Sequence, residues 1–293
     1  MCQDDVSGAI AEFEAAVELS GRLGNRFGIS IGLHGVAQIR FFRGEWDDAL
    51  QAARAAVDAA PNENLKGFAH LPLVLLAAAR GDADGAEQCL ERLAVLDTSD
   101  DPQDRAAAGV ARAAAALVRG RHEAAQESAG ATARAAAKFA SFRSDGFRLG
   151  WPLALRAALE SGDVDTAESL LRIVAEAQIG HVPPYLRAEL AHFRALTHAA
   201  AGNHDTVEAD LHQAISLLSD LGYPYWLALT QIDLARWLID RDRAAEVGSL
   251  VTDAVETFTR LGARPALDAT ARLLPNHSDG LETSQSIAGF AST

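Results

Sequence analysis

The chain predicts an all-α fold made of a repeated pair of helices. Three observations carry that expectation. Glycine turns recur at Gly44, Gly81, Gly120, Gly162 and Gly202, with spacings of 37, 39, 42 and 40 residues. Hydrophobic residues make up 49% of the chain but aromatic ones only 6%, and alanine dominates the difference. Alanine is the best helix former and a small core filler, so it favours many closely packed helices. No segment alternates apolar and polar residues with period two over a useful length, so no sheet is predicted. At 293 residues the chain is long for a single compact core, which fits an array of units.

The unit is clearest in "RGEWDDALQAARAAVDAAP", from Arg43 to Pro61. Glycine ends a first helix because it enters the left-handed conformation at little cost. Five residues after each turn stands a small or β-branched residue: Ala49, Ala86, Ala125, Ala167 and Val207. Seven before it stand Ala37, Val74, Ala113, Leu155 and Ala195, so the two helices approach closely across the turn. Twelve after it, Ala56, Leu93, Thr132, Val174 and Ala214 continue the stripe at helical spacing. Forty residues beyond Gly202 lies Asp242, with Ala235, Val247 and Ala254 at the same offsets. Pro61, Pro184 and Pro224 fall between units, where proline ends or starts a helix. Pro72 and Pro152 fall near the expected starts of first helices.

The two ends of the array differ from its middle. Ala9, Phe13 and Ala16 occupy second-helix offsets, which puts a turn at Asp4 and leaves no chain for the matching first helix. A partial first repeat, second helix only, is therefore expected over residues 1–25, with repeats over 26–262 and a capping helix over 263–274. A half-unit leaves an apolar face uncovered, which leads to the expectation that the chain is the C-terminal piece of a longer protein, or that its natural start lies upstream. Residues 275–293 are polar and aperiodic, so a disordered tail is expected. An array of this kind is expected to be elongated.

Leu33, Val36, Ala37, Gly44, Ala49, Ala56 and Pro61 together resemble the tetratricopeptide-repeat pattern. Arg112 and Arg194 depart from it at places where an apolar residue is usual, and the period near 40 exceeds the usual length of 34. Longer repeats in Ala- and Arg-rich sequence resemble the C-terminal region of bacterial signalling ATPases, among them LuxR-type transcriptional regulators and ATPases fused to adenylate cyclase. "FTRLGARPALDATARLL", Phe258 to Leu274, is similar to the ends of such arrays. The resemblance implies a right-handed superhelical solenoid of antiparallel hairpins, serving signal transduction or transcriptional regulation beside an ATPase module. Only Lys66 and Lys138 are lysines among 26 basic residues, an arginine bias typical of GC-rich, actinobacterial-type genomes.

Charge narrows the partners. A net charge of −14 argues against nucleic acid and against an anionic membrane surface. Cys2 and Cys89 lack metal spacing and fit a reduced, cytoplasmic setting. The first ten residues, MCQDDVSGAI, have no signal-peptide pattern, and the longest apolar run, Leu71 to Ala79, is too short to span a bilayer.

Several motifs invite chemistry. Gly28-Ile29-Ser30-Ile31-Gly32 matches the nucleophile elbow in form, but it falls inside a first helix rather than on a strand-to-helix turn. His192, His198, His204 and His212 are spaced by six, six and eight, which does not place two on one helix face for a metal. No phosphate-binding glycine loop with Lys-Ser/Thr is present. Asp47 with Asp48 and Asp100 with Asp101 fit helix starts. Trp46, Trp151, Trp226 and Trp237 read as core or inter-repeat wedges. The expectation is a chain without catalysis, cofactor or metal.

Its functional surface is then the concave face of the first helices, ten and six residues before each turn. Those places hold His34 and Gln38, Leu71 and Leu75, Val110 and Ala114, Pro152 and Arg156, His192 and Leu196, Ile232 and Arg236. A largely apolar groove fits a protein or peptide partner, such as an amphipathic helix or an apolar segment. The leading expectation is thus a scaffold for protein–protein interaction or sensing. The alternative is small-molecule effector binding in the same groove.

Overall fold

The structure, a computed structural model, describes residues 6–138 and 142–273. Its regular elements are all helical, with no strand among the described residues. Helix α1 (Val6–Arg22) packs on α2 (Arg26–Phe42), which turns at Gly44 onto α3 (Trp46–Ala59). Helices α4 (Glu63–Ala69) and α5 (Leu71–Arg80) precede Gly81, and α6 (Ala83–Leu93) follows it. Helices α7 (Pro102–Val118) and α8 (His122–Ala137) flank Gly120, and α9 (Asp145–Glu160) and α10 (Val164–Ala175) flank Gly162. Around Gly202 stand α11 (Pro184–Ala200) and α12 (Val207–Leu221); around Asp242 stand α13 (Pro224–Ile239) and α14 (Gly248–Leu261). Helix α15 (Arg264–Leu273) ends the described chain. Consecutive helices pack on one another throughout, and no described helix is long and apolar enough to cross a membrane.

The turns have the geometry the spacing requires. Gly44 has φ of 72° and Gly162 of 76°, in the left-handed region, and the other turn glycines match them. Asp242 takes the same conformation at φ 59°, alone among the described non-glycine residues. Aspartate is one of the few residues that enters this region readily. Two of the turn glycines are followed by an aspartate that caps the next helix: Asp82 accepts from the Gly85 amide and Asp163 from the Thr166 amide. Each such cap contributes about 1 kcal/mol.

Burial follows the repeat offsets. Ala37, Ala49, Val74, Ala86, Ala113 and Ala125 are fully buried or nearly so, as are Leu155, Ala167, Ala195 and Val207. The sixth unit behaves alike, with Ala235 and Ala254 buried although its turn lacks glycine.

Four expectations need correction. Pro152 lies well inside α9, where its nitrogen cannot donate to the Arg148 carbonyl four residues back. The first helix of the second unit is split at His70, just before Pro72 at the start of α5. Helix α1 turns Phe13 and Val17 toward α2, where glycines make room: a Cβ on Gly35 would meet the Phe13 ring at 2.6 Å, and one on Gly32 would meet Val17 at 2.5 Å. Ala16, the expected stripe position, is exposed. The expected turn at Asp4 and the tail 275–293 lie outside the described residues.

The fourth correction concerns shape. The array curls until distant units touch, which an open elongated groove would not allow. Phe42 meets Tyr185, Tyr223 and Trp226 at 5.2, 5.1 and 4.6 Å between ring centroids, and Trp46 meets Tyr225 at 5.1 Å. Arg260 donates to the Gly44 carbonyl at 3.2 Å and Arg80 to the Leu261 carbonyl at 3.3 Å. Helix α15 packs on α5 and α13. The physical cause is the concentration of the few large aromatics on the inner side, where they bury the most area per residue.

Candidate functional site

Curling leaves a cavity of about 540 Å³ between the first helices. Every unit from the first to the sixth contributes: Phe41 from α2, Leu75 from α5, Ala114 from α7, Arg156 from α9, His192 from α11 and Ile232 from α13. Helix α15 closes one side with Ala266, Ala269 and Thr270, and α14 adds Phe258. A volume of this size suits a small organic molecule.

One wall carries charge. Asp233 is 5% exposed and accepts from four donors: both terminal nitrogens of Arg156 at 3.3 and 3.2 Å, Nε2 of His192 at 2.8 Å, and Nη1 of Arg236 at 2.7 Å. Burial works against the Asp233 carboxylate, but Arg156 and the His192 hydrogen bond outweigh it and hold its pKa far below the usual range. Burial lowers the His192 pKa despite Asp233. A neutral His192 therefore donates from Nε2 to Asp233 while its Nδ1 faces the Thr230 hydroxyl at 3.4 Å. Burial disfavours the Arg156 cation too, but Asp233, Glu160 and Glu189 more than compensate and raise its pKa. Its guanidinium also lies 5.2 Å over the Phe193 ring.

Glu189 stands one helical turn before His192 and also lines the cavity. It is 2% exposed, and its Oε1 has no hydrogen-bond partner. Burial pushes its pKa up to about 8, against the pull of Arg156. Near neutral pH it is mostly the uncharged acid, with capacity for a further hydrogen bond.

The expected groove residues divide. Leu75, Ala114, Pro152, Arg156, His192, Ile232 and Arg236 line the cavity. Leu71 and Val110 are fully buried in the core instead, and Leu196 is partly buried against it without reaching the cavity. His34 and Gln38 form a separate buried cluster: Gln38 Nε2 contacts His34 Nε2 at 2.9 Å and donates to Asp145 at 3.0 Å. Burial lowers the His34 pKa to about 4, against Asp145.

Sequence reasoning passed over Asp233, Glu189 and Glu160. The available signal was spacing: Glu189 with His192 and Asp233 with Arg236 stand three apart, Arg156 with Glu160 four apart, each pair on one helix face. The buried tryptophans behave as wedges, since Trp46 donates to the Phe41 carbonyl and Trp151 to the Leu170 carbonyl, but Trp226 lines the cavity. Ser30 is fully buried in α2 and donates to the Ala56 carbonyl at 2.8 Å, tying α2 to α3. His198 contacts Thr206 and His212 faces Glu208, both away from the cavity.

A second, open depression lies between the Gly81 turn and the end of α14. Two of its three arginines are engaged elsewhere: Arg80 pairs with Asp47 at 2.6 Å, and Arg260 holds the Gly44 carbonyl. It reads as a seam. Comparison with models of protein families and with characterised proteins finds no match to this chain.

Proposed function

We propose that the chain is a non-catalytic helical-repeat sensing module, a right-handed superhelix of tetratricopeptide-like hairpins that binds a small molecule in the cavity on its inner side. By resemblance, the setting is cytoplasmic bacterial signal transduction or transcriptional regulation, beside an ATPase module. The observation that carries the ligand reading is the cavity of about 540 Å³, walled by six units and carrying fixed charges on one side. A peptide helix about 10 Å across needs a long open groove, and here inner residues from opposite ends of the chain are in contact, as where Phe42 meets Trp226. Binding inside a lumen also couples to conformation, because a ligand touching all units favours the curled state over looser ones.

A thermal-shift screen of metabolites tests this reading. A ligand should raise the melting temperature of the wild-type chain. It should lose that effect on Ala78→Phe, a lining position where a ring would occupy the cavity. Shifts that persist in the filled variant would place binding elsewhere.

A protein-partner reading has its own support on another surface. Leu19, Leu23 and Phe27 are 50%, 72% and 56% exposed along the end of α1 and the start of α2. Large apolar side chains grouped in this way mark a contact face.

A further inference from the structure

The ligand's chemical class follows from the charges on the cavity wall, on the small-molecule reading just given. The lining residues include two arginines, Arg156 and Arg236, and three acids, Glu160, Glu189 and Asp233. Asp233 is saturated by Arg156, Arg236 and His192. Glu160 is 42% exposed at its side chain, so solvent satisfies it. His192 is held neutral by burial. Among these acids Glu189 is the buried one with an unpartnered oxygen, Oε1, and the charge that acts on it is that of Arg156, which also serves Asp233. With Glu189 ionised the lining would carry three negative charges against two positive ones; with Glu189 protonated the two signs balance.

The cavity that Glu189 lines also carries aromatic side chains. Phe41, Phe193, Tyr225 and Trp226 line the same space, and Phe193 already takes the Arg156 guanidinium at 5.2 Å. Aromatic faces attract cations, more strongly where water is excluded.

We propose that the lumen binds an organic monocation with an apolar body, an aryl- or alkyl-amine, whose ammonium pairs with Glu189 while its body lies against Trp226 and Tyr225. The bound ammonium supplies the missing charge and donates to the unpartnered oxygen. Without it, Glu189 meets the same deficit by keeping its proton, consistent with its raised pKa. Binding near neutral pH then displaces a proton: the O–H of Glu189 ionises, the proton goes to buffer, and the carboxylate faces the cation.

Three ligands with one indole ring and different heads test this by calorimetry on the intact chain: tryptamine, tryptophol and indoleacetate. Tryptamine should bind about tenfold tighter than tryptophol, the value of one charge-assisted hydrogen bond. Its heat of binding near neutral pH should depend on the ionisation enthalpy of the buffer, whereas that of tryptophol should not. Glu189→Gln keeps the shape of the uncharged acid; it should abolish both the tryptamine preference and the buffer dependence. Unchanged tryptophol binding reports that the variant still folds. Tightest binding of indoleacetate would overturn the proposal in favour of the arginines as an anion site. Equal affinities, or a tryptamine preference that survives Glu189→Gln, would overturn it as well. Those outcomes leave the small-molecule reading standing. No binding by any of the three, together with no hit in the metabolite screen, would remove both.

Discussion

The ring of Phe42 stacks on Trp226 with centroids 4.6 Å apart and planes 13° from parallel, joining the first unit to the sixth. With the contacts of Trp46 to Tyr225 and of Arg260 to Gly44, this stacking brings helices from the two ends of the chain together. Removing the Phe42 ring leaves a hole among Tyr185, Tyr223 and Trp226 at the closure. Phe42→Ala should therefore cost about 3–5 kcal/mol in urea denaturation. The radius of gyration from small-angle scattering should also grow, because the lost packing joins units rather than helices within one unit. A destabilised chain of unchanged dimensions would mean that other contacts hold the curl.

The charged wall makes a second prediction, in which burial decides the size of the effect. Asp233→Asn leaves Arg156 and His192 beside an uncharged amide in a buried place, and should cost about 3–5 kcal/mol. Arg236→Met removes a partner of the same carboxylate, but that arginine side chain is 46% exposed. Its loss should cost under about 1 kcal/mol. Similar losses in the two variants by denaturant titration would show that the wall is solvated. Charge reversal at Arg156 is a poor probe of binding for the same reason, since it sets a new carboxylate against Asp233.

The pH profile of stability carries a third prediction, with the signs set by the directions of the shifts. Glu189 is raised from 4.5 to about 8, so the folded chain holds a proton that the unfolded chain has lost. Stability should fall as pH rises through that interval, by at most about 1.4 kcal/mol per pH unit. His34 is lowered from 6.5 to about 4, and His192 is lowered too, so the unfolded chain binds protons there that the folded chain does not. Stability should fall as pH drops below 6.5, and Asp233 adds to the loss below its unfolded value of 3.8. Between 6.5 and 8 only Glu189 acts among these groups, so the maximum should lie near 6.5. Melting temperatures across pH check this, and Glu189→Gln should flatten the alkaline arm while steepening the rise between 4.5 and 6.5, where Glu189 opposes the histidines.

How much of this was legible before the structure depends on whether a feature is local. Turn positions were legible because left-handed geometry selects glycine, and Asp242 was reached only by counting from Gly202. The small residues at fixed offsets were legible because helix contact within a pair is local, and they are buried as expected. The curl was not. It depends on Phe42 meeting Trp226 and on Gly44 meeting Pro224 across most of the chain, and no period reports such pairs. The cavity was half legible: the inner register named Arg156, His192 and Ile232, but Asp233 and Glu189 stand outside that register and line the cavity as well. His34 and Gln38 have the right register, yet they are covered by Phe68 and Asp145 from neighbouring segments.

The left-handed turns give a fourth prediction in which side-chain contacts play no part. A Cβ on Gly162 would meet nothing within 4 Å, so Gly162→Ala isolates the backbone cost of φ 76°. That substitution should destabilise by about 1–2 kcal/mol. Asp242→Gly works in the opposite direction, relieving a residue held at φ 59°, and should be neutral or stabilising by under about 1 kcal/mol. A loss at Asp242→Gly as large as that at Gly162→Ala would mean that the Asp242 side chain, not its backbone, holds the sixth turn.

The exposed face of the first hairpin supports the last prediction. Leu19 lies in the last turn of α1, Leu23 just after its end and Phe27 in the first turn of α2, so the three stand close together in the chain at its first helix connection. Their average exposure exceeds half, whereas Phe13 on the opposite side of α1 is covered by α2. Burying three such side chains is worth roughly 1.5–3 kcal/mol each. That is enough to drive weak self-association at high concentration, but too little for a stable dimer once the entropy of association is counted. Sedimentation velocity should therefore show an average mass that rises with concentration. Leu23→Ser with Phe27→Ser should suppress the rise without changing the helical signal, since neither residue is part of the core. Helix α1 should be the first described segment cut in limited proteolysis at low concentration, and protection should grow with concentration in the wild type only. A monomer at every concentration whose α1 resists cleavage would show that this face needs no partner.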